Sequence, residues 1–488
     1  MGAAGERASL QPWLSGEAER LANAREILAV LGTVPMERLE ASLAAAQSDD
    51  WRGWLELSAS VRDIRYSAAE QRVRLQAWQQ RYAALPALDT ASVLLREIEA
   101  QLANPGRVAL LLPLSGRAGG GGQAVLQGYL AEHYRQLALG ETPPQVAITD
   151  TGGTPEAFAA AYRRAVEDGS ELVIGPLLKE ELAMLGRAGP ARAPTLALNF
   201  LDEGQALPAE VRQFGIDAKD EIAQLVAGAR AAGYSRVLLL ADESPRAKRL
   251  VEEFSPRWRT SGGTLLGSLF LRDLNDYRKE LERTMLLDQS RERAETLGRI
   301  TGLQLETEPR RRADLDLLVM FAEPVASRSL RSLVSFLYAG DLPRWGSSLS
   351  YSGNEVPEED VDLEGLRFLD MPWFGAAESE LRGSPASPRG GAERFVALGV
   401  DAARLQSRLR LLATAEGNGL AGATGELGLD AKGRIHRRST WFGFGQGRVV
   451  PVEARAAKTQ TPTSTEGDAA WNTETEAEES VAPQRIVP

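Results

Sequence analysis

The side chains of this sequence that could do chemistry are a glycine-rich loop, two histidines and several carboxylate pairs, and none falls in a catalytic pattern. Gly116-Arg-Ala-Gly-Gly-Gly-Gly122 follows the apolar run Val108 to Leu114, where backbone amides at a helix start can receive an anion. No Gly-Lys-Ser/Thr follows it, and no G-x-G-x-x-G is set before an acidic strand end. The simpler readings are a strand-to-helix loop or the wall of a small-ligand cleft. His133 and His436 have no metal-ligand companion at helical or hairpin spacing, which removes H-E-x-x-H zinc chemistry, and both read as surface residues. There is no G-x-S-x-G elbow, and the absence of cysteine removes disulfides, thiolate sites and thiol nucleophiles. Asp314 with Asp316, and Glu358 with Glu359 and Asp360, read as solvated acids. Arg310-Arg311-Arg312 reads as an exposed loop or a partner-docking patch.

Composition bounds what these residues can serve. At 488 residues the chain exceeds what one core organises, and 43% hydrophobic with 25% charged residues is ordinary globular material. The net charge of −11 repels phosphate backbones and anionic lipid surfaces, so nucleic acid is not an expected partner. Val108 to Leu114, the longest apolar run, falls far short of the ~18 to 20 residues that cross a bilayer. Met1-Gly-Ala-Ala-Gly-Glu-Arg lacks the basic start, apolar core and cleavage site of a secretory signal.

The elements that must position these residues fall into two parts. Over 1–104, apolar residues recur at three-to-four spacing, as in Leu21, Ile27, Leu28 and Leu31, then Trp54, Leu57, Val61 and Ile64, which predicts successive short helices packed in antiparallel pairs. A TPR-like domain is the expected class, although the roughly 34-residue repeat is too degenerate to read from the spacing. Trp51, Trp54 and Trp78 read as core, and Asp89 as the cap of the last helix. Asn104-Pro105-Gly106 breaks that helix. Beyond it, short apolar runs alternate with helical segments through 105–456, which requires parallel strands and predicts a two-lobed α/β domain. The first lobe is expected to end near residue 198, the second to start at Arg236, and Gly422 to Arg437 to close the fold as hairpin strands. The acidic, Thr- and Glu-rich stretch 457–488 reads as a disordered tail.

Arg107-Val-Ala-Leu-Leu-Leu-Pro-Leu-Ser-Gly116 and Gly422 through Arg437 resemble the two ends of a type I periplasmic-binding-protein fold. Leu172-Val-Ile-Gly-Pro-Leu-Leu178, Arg310-Arg-Arg-Ala-Asp-Leu-Asp316, Tyr338-Ala-Gly-Asp-Leu-Pro343, Asp362-Leu-Glu-Gly365 and Asp370-Met-Pro-Trp373 make the chain similar to the LppC/LpoA family of penicillin-binding-protein activators. That resemblance implies an outer-membrane lipoprotein facing the periplasm. It implies a non-enzymatic partner of a class A penicillin-binding protein, without cofactor or metal, that stimulates peptidoglycan synthesis, and it makes peptidoglycan a second candidate contact. Members carry a lipidated cysteine that this sequence lacks, and a chain beginning after the lipobox is the simplest account. The rival expectation is a solute receptor closing on an amino acid or muropeptide between its lobes. Its cleft would be lined by the strand-end residues Ser115, Gly116, Gly175, Pro176, Asn199, Asp242, Tyr351 and Ser352. A hydrolase acting on peptidoglycan has no nucleophile or metal motif to support it.

Overall fold

The computed structural model describes residues 1–452 except 86–87, 103, 188–192, 203, 303–305, 307, 376–377, 384–389 and 415–418; the expected tail 457–488 lies outside the described residues. Among the described residues the chain opens with six α-helices: α1 (Gly2–Leu10), α2 (Glu17–Gly32), α3 (Met36–Ala44), α4 (Asp49–Arg62), α5 (Ala68–Tyr82) and α6 (Ala91–Gln101). Local chemistry sets their starts. The Ser48 side chain accepts from Trp51 N, and Ser67 and Glu70 form a reciprocal capping box at α5. Trp54 and Trp78 lie in the common core with Leu31, Leu39 and Leu75, and Trp51 packs at its edge. Asp89 does not cap α6. Thr90 holds that position, with its hydroxyl accepting from Gln11, and Asp89 pairs with Arg20 at 3.4 Å.

The α/β part begins with β1 (Arg107–Leu112), α7 (Gly119–Ala138), β2 (Gln145–Asp150), α8 (Pro155–Glu167), β3 (Leu172–Ile174), α9 (Lys179–Arg187), β4 (Thr195–Ala197) and β5 (Val211–Phe214). The glycine cluster is the first turn of α7, not a cradle. A Cβ at Gly122 would stand 2.0 Å from Pro113 O, so only glycine lets the helix start so close to the strand exit. The chain then passes to α10 (Ala218–Ala231), β6 (Arg236–Asp242), α11 (Pro245–Thr260), β7 (Thr264–Leu271), α12 (Leu274–Thr284), α13 (Leu287–Thr301), β8 (Leu317–Phe321), α14 (Pro324–Phe336), β9 (Arg344–Gly346), α15 (Pro357–Asp360), β10 (Leu366–Asp370) and α16 (Ser379–Arg382). It ends with α17 (Glu393–Leu405), α18 (Leu409–Thr414), β11 (Leu420–Ala421), β12 (Glu426–Leu429), β13 (Arg434–Arg438), β14 (Thr440–Gly445) and β15 (Arg448–Pro451).

Two sheets result, ordered β11-β12-β13-β5-β4-β3-β1-β2 and β15-β14-β10-β9-β8-β6-β7. The first lobe therefore does not end near residue 198: β5 extends its sheet, and the hairpin β12–β13 joins β5 in parallel. The expected closing hairpin, Gly422 to Arg437, thus joins the first sheet alone, and β14 and β15 beyond it belong to the other. Between α12 and β8 the chain forms a further helix, α13, ahead of the Arg310 to Arg312 run.

The helical part is clamped onto the first lobe by more than its linker. Arg62, 2% exposed, donates to Leu31 O and Val34 O at the end of α2 and to Gly419 O in the α/β part, and it also faces Glu426. Ile64 N donates to Ala421 O, and Arg408 reaches Tyr66 O and Gln71. A guanidinium that satisfies carbonyls from both sides fixes their mutual angle, because losing either set would strand buried acceptors.

Candidate functional site

The expected cleft residues sit just beyond strands of both sheets. Ser115 and Gly116 follow β1, Gly175 and Pro176 follow β3, Asn199 follows β4, Asp242 ends β6, and Tyr351 and Ser352 follow β9. Their polar atoms are largely engaged within the chain. Asn199 donates to Leu177 O and accepts from Phe200 N. Asp242 accepts from Ser244 N at 2.8 Å and Glu323 N at 2.7 Å, tying the starts of α11 and α14 to β6. Gly175 has φ +117°, and a Cβ there would meet Leu111 O at 2.1 Å, so this glycine serves close strand packing. Ser115 contributes a side-chain hydrogen bond to Asp150, which also accepts from Leu114 N and Gly152 N, and these donors hold its carboxyl below the usual range. Tyr351 is buried against Phe368, Phe374 and Phe444, and burial pushes its hydroxyl up to about 12. Ser352 is exposed and caps Asn354 N.

The residues that dominate this region were not among the expected ones. Helix α17 leaves the second lobe and runs into the first, with Val396, Ala397 and Val400 in one core and Leu398, Ala402 and Ala403 in the other. Its first turn lies against the strand ends of the second sheet. Arg394, 5% exposed, donates to Ser348 O at 2.8 Å, to Tyr351 O at 3.0 Å and to both oxygens of Asp370, which is 1% exposed. Glu393 accepts from Trp373 Nε1 and Arg382. From the other side Glu221 accepts Ser348 N at 2.6 Å and Ser348 Oγ at 2.9 Å, while burial pushes its carboxyl up. Arg246 adds a bond to Ser348 Oγ. Two carboxylates, Asp370 and Glu221, two arginines, Arg394 and Arg246, and the Ser348 and Tyr351 groups thus satisfy one another at these strand ends.

The lobes are pinned together elsewhere as well. Gly128 of α7 and Gly399 of α17 meet backbone to backbone, for a Cβ would stand 1.9 Å from Val396 O at the first and 2.0 Å from Val125 O at the second. Arg404 bridges Glu132 at 3.2 Å and Glu378 at 2.8 Å. Asp401 accepts Ala423 N, Thr424 N and Thr424 Oγ1, each at 2.7 Å; burial pushes its pKa up to about 6 against those donors and Arg404. Arg437, buried at the β13 to β14 crossing, donates to Gly215 O, Asp217 O and Thr424 O, spanning the β5 to α10 crossing. Gln224 holds Ser439 through both of its backbone groups.

Of the two histidines, His133 is half-buried and its Nδ1 has no hydrogen-bond partner, so it is not a plain surface residue. His436 is exposed but sits between Asp220 at 2.7 Å and Asp430 at 3.0 Å; the hydrogen bond to Asp220, then that to Asp430, raises its pKa to about 9. A raised folded pKa gives stability that is present below the unfolded value near 6.5 and lost as pH rises through about 9. Wild-type melting temperature is therefore expected to decline across that window, and His436→Gln should remove this component of the decline. The effect is small because the ring is half in water. Identical pH profiles for both proteins would refute it.

The carboxylate pairs are less solvated than expected. Asp316 accepts Ser235 N, Ser235 Oγ and Arg236 N, and Asp360 is buried against Arg328. In the Arg310 to Arg312 run, Arg311 pairs with Asp341 and Arg312 with Asp314 at 2.6 Å, while Arg310 is exposed. Among the described residues no group of three or more His, Asp or Glu is placed to hold a metal ion, and no helix is long and apolar enough to cross a membrane.

This architecture has known counterparts. Residues 1–447 match the family described as "LppC putative lipoprotein". A relative from Vibrio antiquarius (strain Ex25), named penicillin-binding protein activator LpoA, is 23% identical over 402 residues, covering 80% of this chain and 66% of its own length. The chain thus spans just under two thirds of that relative. Full-length LpoA from Haemophilus influenzae shares the fold at TM-score 0.55 and 20% identity, over 92% of this chain and 78% of that one. A Chromobacterium violaceum chain described as "a putative branched-chain amino acid ABC transporter" matches at TM-score 0.52 and 24% identity, over 69% of this chain and 99% of that one. The two-lobed part is therefore of the periplasmic-binding-protein type, preceded by a helical part as in LpoA.

Proposed function

We propose, on the premise that this chain belongs to the LppC family, that it is a non-catalytic activator of a class A penicillin-binding protein, acting in the periplasm from the outer membrane. The observation that carries this reading is the occupancy of the strand ends by the chain's own groups. Where a solute receptor of this fold would keep donors free for a ligand, Arg394, Asp370, Glu221 and Ser348 are spent on one another. Pinned lobes suit a docking body. An activator needs no reactive group, only higher affinity for one state of its partner, since that difference alone shifts the partner's population.

Two measurements test it. Added to a purified class A penicillin-binding protein, the protein should form a complex and raise peptidoglycan cross-linking; no complex and unchanged turnover would overturn the reading. Amino acids and muropeptides should leave its melting temperature unmoved, because a ligand bound only by the folded state must raise it. A clear rise with either would favour the receptor instead. Under this proposal residues 1–104 form the helical part, spanning toward the wall, and residues 105–456 the docking part.

A further inference from the structure

The rim strand of the first sheet carries a free hydrogen-bonding row beside an apolar groove. Gln145 N donates to Gly106 O at 3.0 Å and Thr151 N to Leu112 O at 2.9 Å, so odd-numbered residues of β2 face β1. In a parallel strand the N–H and C=O of one residue point the same way, which turns those of Val146, Ile148 and Asp150 outward. Among the described residues β2 pairs with β1 alone.

The register Val108↔Val146 and Leu110↔Ile148 puts Val146 and Ile148 on the sheet face covered by α7. Helix α17 occupies one flank of α7, through Gly128. At 100° per residue Leu126, Leu130 and Leu137 line the opposite flank, toward β2. The groove so formed is apolar and open: Tyr134 is 62% exposed, Leu137 45% and Ile148 44%.

Other rim strands are blunted. β11 has two residues, β15 ends in Pro451, and β7 carries a register shift opposite Val237 and Leu238. β2 has six residues with no proline, lysine or bulge.

We propose that this strip, the β2 rim with the groove along α7, docks an extended segment of the partner synthase whose alternate residues are apolar. The inference rests on the activator reading. An unpaired row of donors and acceptors is satisfied by another strand, whose every second side chain would enter the groove. Two copies of this chain, each at −11, repel one another, whereas exposed Asp150 at the strand end suits a segment with Lys or Arg beside its apolar residues.

Ile148→Pro deletes one outward donor and leaves the β1 ladder untouched. Leu137→Glu places a charge on the groove at a position already 45% exposed. Binding to a purified class A penicillin-binding protein, measured by biolayer interferometry, should weaken about tenfold in each variant, with far-ultraviolet circular dichroism unchanged. If the wild type binds and both folded variants bind within about twofold of it, the strip is not the docking site although the activator reading stands. Should the wild type itself neither bind nor stimulate, that reading falls and takes the strip with it. A wild-type dimer that Ile148→Pro dissociates would assign the strip to a second copy and overturn the proposal.

Discussion

Gly399→Ala is expected to cost about 3 kcal/mol or more of folding stability, and Gly128→Ala about as much. The methyl group at either site would have to occupy space held by a carbonyl oxygen of the other helix, at 2.0 and 1.9 Å, and at Gly399 Tyr129 N stands a further 2.8 Å away. Backbone cannot rotate aside as a flexible side chain can, so the helices must separate. Because α17 contributes to both cores, separation exposes apolar surface in each lobe at once. Urea denaturation followed by tryptophan fluorescence would show lower midpoints. Gly120→Ala is the control: nothing lies within 4 Å of a Cβ there, so its midpoint should hold or rise slightly. Wild-type midpoints for both crossing variants would mean that the helices do not meet as described.

The second large effect is expected at Arg394. Arg394→Met should cost about 3 to 5 kcal/mol, because it leaves the Asp370 carboxylate buried without its cation and strips a donor from Ser348 O and Tyr351 O. The asymmetry between breaking a buried pair and replacing it gives a sharper test than the single variant alone. The double variant Asp370→Leu with Arg394→Met strands no charge, so it should be more stable than Arg394→Met. A double variant as unstable as the single, or a single variant within about 0.5 kcal/mol of wild type, would contradict the assignment of this pair.

Both effects bear on how such a protein works. A receptor must let its lobes move; here a glycine crossing, the Arg404 cluster and the Arg437 bonds link them. A body that presents its surface already ordered loses less side-chain and loop freedom on docking, which leaves more of the contact energy for binding. The clamp around Arg62 extends the same rigidity to the helical part.

Much of the architecture was legible in the residues. The apolar run Val108 to Leu114 announced a strand buried on both faces; the strand ends at Leu112, and four of the five residues from Val108 to Leu112 are completely buried. The three-to-four spacing of Trp54 and Leu57 announced helices packed on one side, and the motifs from Leu172 to Trp373 pointed to the family, whereas Ile64, read into the same series, lies beyond α4 and packs in the core of the first lobe. Period and burial are local properties, and a sequence displays them directly. Val211-Arg-Gln-Phe214 was not legible as a strand: four residues around two polar ones carry too short a pattern to separate from loop. Nor could the sequence say that Gly399 faces Gly128, that Arg394 meets Asp370, or that Arg437 spans two chain crossings. These pairings join residues far apart along the chain, and only the order of strands in each sheet and the path of α17 between them bring such groups together. Hydrophobic pattern decided what is buried; tertiary packing decided against whom, because close contact depends on where whole elements cross.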